Sequence, residues 1–114
     1  MEVLALIHGS ESGWNELSDE ERQAMYRRYT EFSERPEVVG GAELQETTAA
    51  TTVRVRNGDP MVTDGPYAEV KEALGGFYIL EADSIDDACR LAAEIPAAEH
   101  GAIEVRPVVV REES

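Results

Sequence analysis

An α+β fold, with two helices on one face of an antiparallel sheet, is predicted by three observations. Val3 to Ile7 is a short apolar run whose alternating faces are both apolar. Two segments, opening at Ser18 and at Ser84, carry helix-capping residues ahead of apolar stripes. Between them, Val53 to Val62 reads as a hairpin turning at Asn57-Gly58.

Each element can be justified in order. Val3 to His8 is read as a strand with Val3, Ala5 and Ile7 on one face. Leu4 and Leu6 lie on the other, and His8 shares it. A strand apolar on both faces requires cover on both. Gly9 to Gly13 reads as a loop. Ser18 with Glu21 three residues later is a capping-box pattern, and Asp19, Glu20 and Glu21 suit the positive end of the helix dipole. Leu17, Met25, Tyr29 and Phe32 lie near one stripe, and Pro36 ends the helix. Gly40-Gly41 opens a new segment, and Thr47 to Thr52 reads as an irregular connection.

In the hairpin, Asn-Gly supplies two positive φ angles, so Arg56 faces Asp59 and Val53 faces Val62. Asp64-Gly65-Pro66-Tyr67 is turn chemistry. Phe77 to Ala82 reads as a strand. Ser84 then caps a helix with Ile85, Ala88, Leu91, Ala92 and Ile95 on its stripe, stopped by Pro96. Ala102 to Val110 reads as the last strand, with Pro107 marking an edge or bulge. This order is a ferredoxin-like plan with an inserted hairpin beside a four-stranded core sheet. Helices on one sheet face leave the other to be covered, and a second copy in a homodimer is the expected cover.

Composition bounds the function. The chain has 114 residues, fitting a single domain over 1–114, and 42% of them are hydrophobic. A compact chain of this size exposes roughly 6,000 Å². The formal charge is −14, from 24 acidic and 10 basic residues, which argues against direct nucleic-acid binding and against docking on anionic lipid. Cys89 is the only cysteine, so neither an intrachain disulfide nor a Cys/His zinc set is expected. It reads as a packing residue on its helix. The N-terminal apolar run is too short for a signal peptide, and no stretch approaches the roughly 20 apolar residues of a membrane span. A cytoplasmic location is expected.

Val62 to Tyr78, centred on Asp64-Gly65-Pro66-Tyr67, resembles the signature of the DGPF-motif branch of the YCII-related family. Ala50 to Arg54, Ile95 to Ala98, Ile103 to Pro107 and Trp14 match as well. Tyr67 stands where the motif has Phe, and the stretch between the first helix and Gly40 is short for the family. The resemblance implies a dimeric ferredoxin-like α/β barrel. It also implies enzymatic proposals built on a His and an Asp, and an association of some members with extracytoplasmic-function sigma factors.

Asp64 and His8 are the candidate catalytic groups. Asp64 either serves as a general base or caps its own turn. His8 either exchanges protons or is a satisfied core histidine. The candidate ligand-holding groups are Tyr67, Lys71, Arg54 and Arg106. Against them stand ring packing on the turn for Tyr67, a solvated face for Lys71 and cross-strand pairing with acids for the arginines. His100 reads as an exposed loop residue. No phosphate loop, dinucleotide glycine fingerprint, nucleophile elbow or metal-binding histidine pair is present, so no cofactor is expected. Two functions follow. One is a cofactor-independent small-molecule enzyme, a lyase, isomerase or hydrolase. The other is a non-catalytic module that binds a ligand or a partner, for which a sigma factor is one candidate.

Overall fold

The computed structural model describes residues 1–111. In chain order the elements are β1 (Glu2–Gly9), α1 (Glu11–Glu16), α2 (Asp19–Ser33), β2 (Val38–Glu43), β3 (Thr51–Arg56), β4 (Asp59–Asp64), β5 (Ala73–Glu81), α3 (Ile85–Ala92) and β6 (Ala102–Pro107). Short 3-10 turns lie at Thr47–Ala49 and Pro96–Glu99.

β1 is central because it can be buried on both sides. It pairs antiparallel with β5 and with β6, and β5 pairs antiparallel with β2, giving the sheet order β2-β5-β1-β6. The β1-α2-β2 connection steps over β5, and β5-α3-β6 steps over β1. Two such interleaved units make the fold α+β and ferredoxin-like.

One face of the sheet holds the core. Val3, Ala5 and Leu80 pack there against Phe32 of α2, Ala88, Leu91 and Ala92 of α3, and Ile95. Val3, Leu80 and Ile95 are fully buried, each contributing about 1.5–3 kcal/mol relative to exposure. Burial holds the Tyr29 and Tyr78 hydroxyls above the ordinary tyrosine range at the edge of this cluster. The Ser18 and Ser84 caps form as read. The Ser18 Oγ accepts from Glu21 N–H at 3.1 Å and the Glu21 carboxylate accepts from Ser18 N–H at 3.0 Å. The Ser84 Oγ accepts from Asp87 N–H at 3.1 Å.

α2 and α3 both pack on the core face and leave the opposite face open among the described residues. The register places Leu4 beside Ile79 and Arg106, and Leu6 beside Phe77 and Glu104, on this open face. β3 and β4 form a separate two-stranded sheet. Its register is Arg56 opposite Asp59 and Val53 opposite Val62, with Asn57 at φ 51° and Gly58 at φ 80° in the turn.

Several sequence expectations are corrected. The Gly9 to Gly13 segment is not all loop: Ser10 caps α1 by accepting from Gly13 N–H at 3.0 Å. Val38–Glu43 is a strand, although two glycines interrupt it. Gly41 has φ +152°, and a Cβ there would lie 2.5 Å from the Phe77 carbonyl oxygen. Glycine therefore lets β2 approach β5 rather than breaking the strand. The last strand stops at Pro107 instead of Val110. Cys89 is exposed and not a packing residue, because it follows Ala88 by one helical step and turns outward.

Candidate functional site

The open face of the sheet carries the strongest chemical pairing. His8 ends β1 just past a register shift between Ile7 and His8, opposite Leu74 on β5 and Ala102 on β6. Its Nε2 lies 3.1 Å from Glu104 Oε1. Both are partly open, with side-chain exposures of 30% for His8 and 49% for Glu104. A carboxylate only accepts, so Nε2 carries the proton and Nδ1 presents a lone pair. In that pairing Glu104 favours the Nε2–H tautomer of the neutral ring. Gly101 holds this corner: a Cβ there would collide with the His8 carbonyl oxygen, so only glycine lets the loop pass under β1.

Arg106 lies two residues from Glu104 on the same face of β6, a spacing of about 7 Å along the strand. It has no ion-pair partner among the described residues. The expected cross-strand acid is absent because its neighbour across β1 is Leu4.

A second group sits at the foot of the β3–β4 hairpin. Gly65, at φ +105°, donates its N–H to the Ala50 carbonyl at 2.8 Å, and Thr52 Oγ1 donates to the Gly65 carbonyl at 2.9 Å. These bonds hold the turn without Asp64, whose carboxylate accepts no hydrogen bond among the described residues. Tyr67 is 81% exposed, and the Arg54 guanidinium carbon lies 5.9 Å from its ring centroid. Arg54 therefore stacks over an aromatic ring rather than pairing with an acid across the strands.

A shallow cavity of ≈ 540 Å³ opens past the end of β1, between Ser10-Glu11-Ser12 and residues 70–73. Lys71 lines it and has no ion-pair partner among the described residues. The Glu11 carboxylate in its wall accepts from Thr47 N–H at 2.9 Å and Thr47 Oγ1 at 3.0 Å. A second cavity, ≈ 410 Å³, is lined by Arg35, Glu37, Asp87, Arg90 and Glu94 among others. Neither is lined by His8, Asp64 or Tyr67.

The six candidates thus fall into three places within one chain. His8 and Arg106 share the open sheet face, Asp64, Tyr67 and Arg54 share the hairpin foot, and Lys71 stands at the cavity. Glu104 was missed by sequence reasoning. Its signal was its alternation with Ile103 and Val105, which puts it opposite the buried side of β6. That signal becomes useful only once β6 is known to neighbour β1. His100 is exposed, with Nε2 4.0 Å from Glu99. No three His, Cys, Asp or Glu side chains gather as a metal-holding set among the described residues.

Comparison with known proteins places this architecture. The family model for the YCII-related domain matches residues 1–112. The chain belongs to the YCII-related family. A relative is an uncharacterised protein of Rhizobium meliloti (strain 1021), 38% identical over 105 residues, covering 87% of this chain and 82% of that protein. No helix in the described residues is long and apolar enough to cross a membrane.

Proposed function

We propose that this YCII-related protein is a homodimeric, cofactor-independent enzyme that moves a proton on a small organic acid, with His8 as the base. The observation that carries this reading is the 3.1 Å contact between His8 Nε2 and Glu104 Oε1 on an otherwise uncovered sheet face. Glu104 holds the imidazole with Nδ1 outward and stabilises the imidazolium once His8 has taken a proton. Arg106, on the same face and unpaired, receives the substrate's carboxylate. The proton taken from the substrate by Nδ1 is returned to a different atom or to a leaving group, giving an isomerisation or an elimination.

A second copy of the chain covers the sheet face in this reading, so that the site lies between two sheets and water is restricted. The Asp64-Gly65-Pro66-Tyr67 turn supports placement in the DGPF-type branch of the family. Asp64 is free of the turn's hydrogen bonds.

Solvent-deuterium exchange tests this reading. Purified protein is incubated in D₂O with a panel of short hydroxy- and keto-carboxylic acids, and loss of C–H signal is followed by proton NMR. Exchange by the wild type, loss of at least about 100-fold in His8→Gln and a smaller loss in Glu104→Gln are expected. Exchange that survives His8→Gln contradicts the assignment. Ligand-induced thermal stabilisation without exchange would assign the face to binding alone.

A further inference from the structure

The cavity past the end of β1 gathers unlike charges away from the His8 face. Its volume, ≈ 540 Å³, lies within the roughly 300–1,000 Å³ of small-molecule sites. Ser10, Glu11 and Ser12 stand on one side of it, and Lys71 and Glu72 on the other. Adjacent residues of an extended strand point to opposite sides. The chain bends at Lys71 and Glu72 before β5 begins, so these two neighbours reach the same cavity.

Each polar group of the cavity has an account. Both oxygens of Glu11 are taken, Oε1 by the Thr47 N–H at 2.9 Å and Oε2 by the Thr47 hydroxyl at 3.0 Å. Ser10 Oγ and Ser12 Oγ lie 3.0 Å apart. One of their two hydroxyl hydrogens is spent between them, and the other is left to donate. Lys71 and Glu72 form no ion pair, with each other or with any other group, among the described residues. Val70 and Ala73 add an apolar strip.

The charges decide what fits. One cation and two carboxylates line the cavity. A simple anion such as phosphate meets a net negative lining, and a simple amine meets Lys71. A ligand that carries both signs is matched at both ends. Glu11 is already bonded to Thr47, which leaves Glu72 for an ammonium and Lys71 for a carboxylate. The free serine O–H is a further donor to that carboxylate.

We propose that this cavity binds a free α-amino acid, its carboxylate on Lys71 and its ammonium on Glu72. The site uses neither His8 nor Arg106, so its failure leaves the proposed proton transfer untouched, and the reverse holds too.

The experiment follows backbone amide NMR signals of the full chain at about pH 7, where both charges of an amino acid are present. L-leucine and L-serine are titrated, and then the acid and the amine that each keep one charge. These are isocaproate and isopentylamine for leucine, and hydracrylate and ethanolamine for serine. Saturable shifts at residues 10–12 and 70–73 are expected for the tighter amino acid, with Kd on the order of 1 mM for so open a site. Its acid and its amine should each bind at least about 10-fold more weakly. Lys71→Gln should weaken the amino acid at least about 10-fold and leave the amine as tight or tighter. Glu72→Gln should weaken the amino acid and leave the acid as tight or tighter. Both residues are exposed, and unchanged signals elsewhere check that each variant keeps its fold. An acid or amine that binds the wild type as tightly as its amino acid overturns the proposal, whatever the variants do. Equal weakening of every probe in a folded variant also overturns it. So does the absence of saturable shifts with either amino acid up to about 50 mM.

Discussion

β1 and β3 each alternate small apolar residues along one face, and those faces end in opposite circumstances. β1 sets Val3 and Ala5 on one face, and both are fully buried. β3 sets Val53 and Val55 on one face, and both are more than half exposed. The difference is connection. β1 has β5 and β6 on its sides and two helices above it, all supplied by its own chain. β3 has only β4, through a two-residue turn. Alternation fixes which side chains share a face, but the cover must come from whatever the topology brings there.

The largest expected effect separates these regions directly. Leu80→Ala removes a fully buried side chain at the centre of the core, and unfolding should cost about 2–5 kcal/mol less than in the wild type. Val55→Ser in the β3–β4 hairpin should change stability by under about 0.5 kcal/mol. Urea denaturation of each variant measures both. Equal effects would mean that the hairpin is part of the chain's own cooperative core.

Next comes the corner that holds His8. Gly101→Ala puts a Cβ against the His8 carbonyl oxygen, where only backbone movement gives room. A destabilisation of about 1–3 kcal/mol is expected. The NMR shifts that change most should belong to residues 7–9 and 100–104. Changes spread evenly over α3 instead would show that the corner is not a local hinge of the site.

Smaller effects belong to the helix ends and to pH. Ser18→Ala removes the α2 cap and should cost about 1 kcal/mol, read from thermal melting. Two carboxyls tune the acid response. The Ser18 backbone N–H, followed by its hydroxyl, holds Glu21 below the ordinary carboxylate range, and the hydrogen bond from Arg28 does the same for Glu99. A carboxyl lowered on folding stabilises above its unfolded value and loses that contribution as pH falls through its folded value. The melting temperature should therefore decline as pH drops below 4.5, the starting value for both groups. Glu21→Gln with Glu99→Gln should flatten that decline. A decline unchanged in the double variant would assign it to other carboxyls.

Much of this was legible in the sequence because the signals were local. The capping box at Ser18, the cap at Ser84 and the Asn57-Gly58 register each depend on residues within a few positions of one another. What escaped was decided across the sheet. β2 hid behind Gly40-Gly41, whose purpose is visible only when Phe77 is beside it. Glu104 gains a partner only because β6 lies against β1. Cys89 was read as packing for want of an activating basic neighbour, but it stands one residue, about 100° of rotation, past Ala88 and is exposed. Asp64 stood open between a base and a turn cap, and Gly65 and Thr52 provide the turn's hydrogen bonds without it.

The central claim is that Glu104 makes His8 an oriented base. Long-range proton–nitrogen NMR of the imidazole, above about pH 8 where an ordinary histidine is neutral, reads the tautomer directly. The His8 ring should carry its proton on Nε2, the nitrogen 3.1 Å from Glu104 Oε1, and this preference should weaken in Glu104→Gln. A proton on Nδ1 in the wild type, or a tautomer mixture indifferent to Glu104→Gln, would contradict the account.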